Sequence, residues 1–200
     1  MRRFQRGPEP QVLTDGAPQW TTRFLARRAA DPTSRFQWPQ VALRGLNEHL
    51  LEALGPLTDR RCAYCDGDGL GAQSRETIDH FRPSSRFPER AFEWGNLYLA
   101  CDVCQAEKLD QFEETLLRPD AVDFEFQRYF TFNFLTGDIE PNLGASEADQ
   151  ARARDTIRLF GLNARARPTS RLRELKRFRG QADRVVADFA YRFVLELVVS

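Results

Sequence analysis

Apolar and polar positions along this chain change their period several times, and each change predicts an element. The segment Val41–Leu54 has helical spacing and predicts an amphipathic helix stopped by Gly55-Pro56, within which His49 reads as structural. Thr77–Phe81 is a short β-like run closed by Pro83, which cannot donate to a ladder, and Leu97–Ala100 is a second strand. A helix is expected from Asp102, a candidate cap, to about Phe112. Phe130, Phe132 and Phe134 repeat every second residue, the period of a strand with one face on a core, and core packing outweighs base stacking here. Residues 146–162 predict a helix capped by Ser146 and closed by Gly161. From Ser170, the residues Leu172, Leu175, Phe178, Ala182, Val185, Phe189, Phe193 and Leu197 step by three or four. They predict one long C-terminal amphipathic helix running through Gly180, with Arg171, Arg173, Arg177, Arg179 and Arg184 on its other face. The apolar run Val194–Val199 is expected to pack back on the core or to dock on a partner. The first forty residues are Pro-rich and irregular, with a short helix around Thr22–Ala30. The pattern as a whole is α+β: a small strand–strand–helix unit at 59–118, between an N-terminal helical or irregular segment (1–58) and a mainly helical region (119–200).

Composition alters this picture little. With 42% hydrophobic and 29% charged residues, the chain reads as an ordinary globular protein. No run approaches the ~18 apolar residues of a spanning helix. The N-terminal MRRFQRGPEP lacks the apolar core of a signal peptide, so the reading is cytoplasmic, with no membrane partner. Charge changes more. Lys plus Arg and Asp plus Glu are both 29, but the sum is uneven: residues 1–61 carry +4, residues 62–149 carry −11 and residues 150–200 carry +7.

The acidic middle holds all four cysteines. Cys62, Cys65, Cys101 and Cys104 form two C-x-x-C pairs separated by 35 residues. Four cysteines allow three disulfide pairings, but disulfides rarely persist in a reducing compartment. A thioredoxin-type redox pair would leave the second C-x-x-C unexplained. Two such knuckles suit tetrahedral Zn²⁺ with no position left for substrate, so a structural zinc site is expected. The insert exceeds the connection of a minimal zinc ribbon, and the chemistry is sought inside it.

There, I-D-H-F-R-P (78–83), W-G-N-L (94–97) and C-D-V-C-Q-A-E-K (101–108) resemble the ββα-metal core of HNH endonucleases with zinc-stabilised flanks. They are most similar to the HNH proteins of Septu-type and retron-linked bacterial anti-phage systems. F-L-T-G-D-I (134–139) and T-I-R-L-F-G-L-N (156–163) echo downstream segments of that family. The resemblance implies His80 as general base, Asp79 as ligand to a catalytic Mg²⁺ or Mn²⁺, and Asn96 as the residue holding the loop that orients His80. Gln105 stands where the family usually places a His or Asn metal ligand, with Glu107 as a possible additional ligand. Ser84 stands where a lysine is common. The implied function is DNA phosphodiester hydrolysis, in a defence system with an ABC/SMC-like ATPase partner.

Other readings stand beside these. Lys108, one of only two lysines among 29 basic residues, is either a point charge for phosphate or a solvated lysine on a helix surface. Asp66 and Asp68 read as turn residues. A catalytically inactive HNH-fold zinc protein serving as a DNA-binding or assembly subunit is the main alternative, and a zinc-ribbon regulator a weaker one. Because phosphate attraction drives non-specific affinity, the −11 segment predicts a core that binds DNA poorly by itself, leaving the basic flanks or a partner to present the strand.

Overall fold

In the computed structural model, which describes residues 1–199, an extended arm leads into helix α1 (Gln11–Ala30). This helix is far longer than the Thr22–Ala30 expected. Only Leu13 and Phe24 are buried on it, and it contains both Gly16 and Pro18, so neither periodicity nor propensity announces it. Gly16 has a specific reason: a Cβ there would overlap the ring of Trp20, one turn on. A two-residue hairpin, β1 (Gln40–Val41) and β2 (Arg44–Gly45), turns through Ala42 and Leu43, both at positive φ. Helix α2 (Leu46–Leu54) therefore begins five residues later than Val41. Glu48 accepts from the Gly45 N–H at its start, as in the carboxylate half of a capping box.

Strands β3 (Glu76–His80) and β4 (Leu97–Cys101) pair antiparallel, with Asp79 opposite Tyr98 and His80 opposite Leu97. Every residue of β4 is buried, because both faces of this hairpin are covered. Ile78, Leu97 and Leu99 pack with Leu13, Phe24, Leu46, Leu50 and Leu54 in one cluster. Tyr98 and Ala100 join a second cluster with the four cysteines, Tyr64 and the aromatic residues of the C-terminal half. Helix α3 (Asp102–Lys108) follows β4 directly. Its cap is the Cys101 sulfur, which accepts from the Cys104 N–H, rather than Asp102, whose carboxylate instead accepts from the Ser74 hydroxyl at 2.6 Å. It stops at Lys108, before Phe112, where Leu109 takes φ 50°.

A single turn, α4 (Phe126–Tyr129), leads into the hairpin β5 (Phe130–Phe132) and β6 (Ile139–Pro141). Phe130 and Phe132 are buried as their period predicts, whereas Phe134 lies on the turn and is 45% exposed. Gly137 in that turn has φ +82° and lies against the Pro168 carbonyl, which a Cβ would strike. Helix α5 (Glu147–Leu159) is capped by Ser146 as expected, and Gly161 follows at φ 55°.

The long C-terminal helix is two helices, α6 (Arg167–Arg179) and α7 (Arg192–Val199). At Gly180 the N–H folds back onto the carbonyls of Lys176 and Arg177, and the chain leaves the helix. The break lets Phe189 return edge-on to Phe178 at 5.0 Å and lets the first turn of α7 bury Phe193, Val194 and Leu195. An unbroken helix would carry those residues away from the core. Arg171, expected on a polar face, is 1% exposed and donates to Gly137 O, Leu162 O and Asn163 Oδ1, each at 2.7 Å. Among the described residues, no helix is long and apolar enough to cross a membrane.

Candidate functional site

Cys62, Cys65, Cys101 and Cys104 are all buried, and their sulfurs lie within 4.8 Å of one another. A tetrahedron with Zn–S bonds of about 2.3 Å has S···S edges of about 3.8 Å. The Cys65 and Cys101 sulfurs are 3.8 Å apart, so the four residues fit a structural metal such as zinc. The first knuckle is tied to β4 by the Ala63 N–H on Leu99 O, and it reverses through Asp66 at φ 54°. Asp66 is thus a turn residue as expected, and also more. Its buried carboxylate accepts from the Arg192 backbone and pairs with its guanidinium at 2.6 Å, anchoring α7 to the knuckle. Asp68, next to it, is exposed.

Arg167, at the start of α6, donates from Nη2 to the sulfurs of Cys104 (3.0 Å) and Cys101 (3.4 Å). Zn²⁺ with four thiolates carries a net charge of −2, and Arg167 offsets part of it. Burial disfavours the Arg167 charge, but the thiolates outweigh that and hold its pKa above the ordinary value.

His80 lies on the α1–α2 side of β3. Its Nε2 is 2.9 Å from Ala91 O, and since a carbonyl only accepts, Nε2 carries the proton and Nδ1 the lone pair. Ala91 ends a loop that Asn96 fixes. Asn96 Oδ1 accepts from the Arg82 N–H at 2.7 Å, and its Nδ2 donates to Arg82 O and Arg90 O. Asn96 is buried, so these bonds are shielded from water. Over the imidazole, Trp38 stacks at 5.4 Å with an interplanar angle of 11°, and Phe36 meets it edge-on at 4.7 Å. Burial under this cover pushes the His80 pKa down to about 4, so the ring is neutral at pH 7.

Asp79 points to the opposite side of the strand. Its Oδ2 accepts from Tyr64 Oη at 2.8 Å and lies 3.2 Å from Lys108 Nζ, while Oδ1 is 3.3 Å from the same nitrogen. Lys108 is completely buried, not solvated on a helix surface, and also donates to His80 O at 2.6 Å. Burial pushes the Asp79 pKa up, against the pull of Lys108 and Tyr64. Half-buried Gln105 donates from Nε2 to Ile78 O at 3.1 Å, fastening α3 to β3. Glu107 turns away to Arg165 at 3.5 Å. Asp79, Lys108 and Gln105 therefore meet between β3 and α3, whereas His80 and Asn96 organise the other side. As arranged, these groups do not fit a hard divalent cation: the Lys108 ammonium already pairs the Asp79 carboxylate, and the Gln105 carbonyl alone is a single neutral donor. Among the described residues, the four cysteines are the one group of three or more His, Cys, Asp or Glu placed to hold a metal.

Several contributors had weak sequence signals. Tyr64 sits inside the first C-x-x-C, where it reads as spacer. Arg167 and Trp38 come from segments distant in sequence, and the part played by Ala91 is its backbone carbonyl. No protein-family model matches the chain, and neither does any curated protein.

Proposed function

We propose that this chain is an HNH-type endonuclease that hydrolyses DNA phosphodiester bonds and rests with its general base covered. The observation that carries this reading is the relay from Asn96 through the 82–91 loop to Ala91 O and His80, which leaves a neutral imidazole with one nitrogen fixed as donor and the other free. In the reaction, His80 Nδ1 takes a proton from the attacking water, and Ala91 O stabilises the resulting imidazolium through Nε2–H. At a pKa of about 4 the base is weak. Moving Trp38 and Phe36 aside rehydrates it and returns it toward 6.5, the strength suited to neutral pH. The Mg²⁺ or Mn²⁺ implied by the resemblance does not fit Asp79 while Lys108 is paired with it. The resemblance adds a place in anti-phage defence and an ATPase partner. Such a partner is a natural source of the opening.

A second reading has its own observation. The Asp79–Lys108 pair supplies internally the charge that a metal would otherwise bring, which favours a catalytically inactive HNH-fold zinc protein acting as a DNA-binding or assembly subunit. Cleavage of plasmid and single-stranded DNA with no added metal, Mg²⁺ or Mn²⁺, with and without the ATPase, separates the two. Cutting that is lost in a folded His80→Ala variant supports the nuclease. Absence of cutting in every condition supports the subunit.

A further inference from the structure

We infer that the cleft between α1 and the Gln37–Pro39 segment is a capture site for one unstacked nucleobase of single-stranded nucleic acid, with the flanking phosphate held by Arg23 and Arg27. This deepens the nucleic-acid reading above by naming the strand state and the subsite, but it requires no catalysis. The cleft, about 190 Å³, is lined by Trp20, Phe24, Trp38 and Phe92 together with Arg23 and Arg27, and no carboxylate lines it. Such a lining offers ring faces to a flat heteroaromatic group and cations to an anion, the two elements of a single-strand site.

Local charge points the same way. From Gly16 to Gly45 the chain carries five arginines against one acid, Asp31, and that carboxylate is occupied by Thr33 and Ser34. This is the basic flank that the acidic middle lacks. The cleft also shares Trp38 with the cover over His80, so a base seated there bears on the side chain that shields the imidazole.

The helix gives up intrinsic stability to build this wall. Glycine inside a helix costs about 1 kcal/mol relative to alanine. Gly16 is retained where a Cβ would collide with the far edge of the Trp20 ring, and that ring packs at 5.7 Å from Phe92. Gly16→Ala therefore perturbs the wall directly, raising helix propensity while displacing Trp20 from Phe92, so its thermal stability is measured beside its binding.

The experiment is titration of the zinc-loaded protein with a ten-nucleotide oligo(dA), the same strand in duplex with oligo(dT), and poly-glutamate, followed by tryptophan fluorescence. Two of the three tryptophans line the cleft. We expect the single strand to quench fluorescence and the duplex and poly-glutamate to bind at least about tenfold more weakly. Gly16→Ala and Trp20→Leu should each weaken single-strand binding about tenfold. Arg23→Ala/Arg27→Ala should reduce the slope of log affinity against log salt by about 0.7, the share of the one phosphate the two arginines hold. Equal binding of duplex or poly-glutamate, or unchanged binding in Gly16→Ala and the arginine double variant, overturns the proposal. Binding that survives in His80→Ala while cleavage is absent from the wild type leaves the capture site standing and removes only the nuclease reading. Cleavage that survives in the arginine double variant with single-strand binding unchanged does the reverse.

Discussion

Replacing Lys108 with Met tests the arrangement around Asp79 in the most quantitative way. The ammonium is completely buried and lies 3.2 Å from a carboxylate that is itself 4% exposed, and it also satisfies the His80 carbonyl. Methionine matches much of its length but removes the charge and both bonds, leaving a buried carboxylate with only Tyr64 as donor. Removing one partner of a buried ion pair costs about 3–5 kcal/mol, because the remaining charge is uncompensated. For a chain of this size that lowers the melting temperature by roughly 6–20 °C. The double variant Asp79→Asn/Lys108→Met removes the charge problem and should recover most of the loss, to within about 2 kcal/mol of wild type. Differential scanning calorimetry of zinc-loaded protein measures both. The pH dependence gives a second handle. A carboxyl whose folded pKa is raised gains stability as pH falls, since the folded state then binds the extra proton. Losing the ammonium pushes the Asp79 carboxyl up further, so the Lys108→Met deficit should narrow as pH falls. A single variant within about 1 kcal/mol of wild type, or a double variant as unstable as the single, refutes the counter-charge assignment.

Other outcomes follow from the same geometry. Removing the metal with a zinc chelator should abolish cooperative unfolding monitored by circular dichroism, because the four cysteines join the first knuckle to β4 and α3 and structural zinc contributes folding energy directly. Arg167→Met should weaken zinc about ten- to hundredfold in a competition titration, the usual effect of losing a group that contacts metal ligands, with little change in helix content. His80 has a folded pKa of about 4 against 6.5 ordinarily, so the unfolded chain binds more protons between those values. Its contribution is fully present above pH 6.5 and is lost as pH falls through that window, by at most about 3 kcal/mol, and His80→Gln should flatten this part of the stability curve. Asn96→Ala leaves three backbone groups of the 82–91 loop without their buried partner, which should cost about 2–4 kcal/mol and speed amide exchange in that loop first.

The parts legible in sequence were those fixed by local spacing. Two C-x-x-C pairs place four sulfurs together whatever lies between them, and T-I-D-H alternates so that Asp79 and His80 must take opposite faces of a strand. Ser146 caps α5 because an N-cap is a three-residue event. The misread parts depended on distant partners. Helix α1 contains Gly16 and Pro18, which local propensity reads as breaks, and its justification is the packing of Trp20 on Phe92. Gly180 looked tolerable in a continuous apolar stripe, yet Phe178 and Phe189 bury more by folding back on each other than by stacking along one helix. Lys108, which reads as either a phosphate contact or a solvated surface lysine, and Arg171, which reads on a polar face, are both buried, although charged residues ordinarily lie in water. Their acceptors, Asp79 and the carbonyls of Gly137 and Leu162, are brought to them by the tertiary fold alone.

The pH–rate profile of DNA cleavage under single-turnover conditions, wild type beside His80→Ala, tests the central claim most directly. If His80 is the base, cleavage by the wild type rises along an acid limb whose midpoint lies between about 4, for the covered imidazole, and 6.5, for the opened one. The limb and the cleavage both disappear in His80→Ala, while its zinc content and circular dichroism are retained. Equal rates and profiles in the two proteins contradict the account, as does a wild type that cuts no DNA at any pH with or without the proposed ATPase partner.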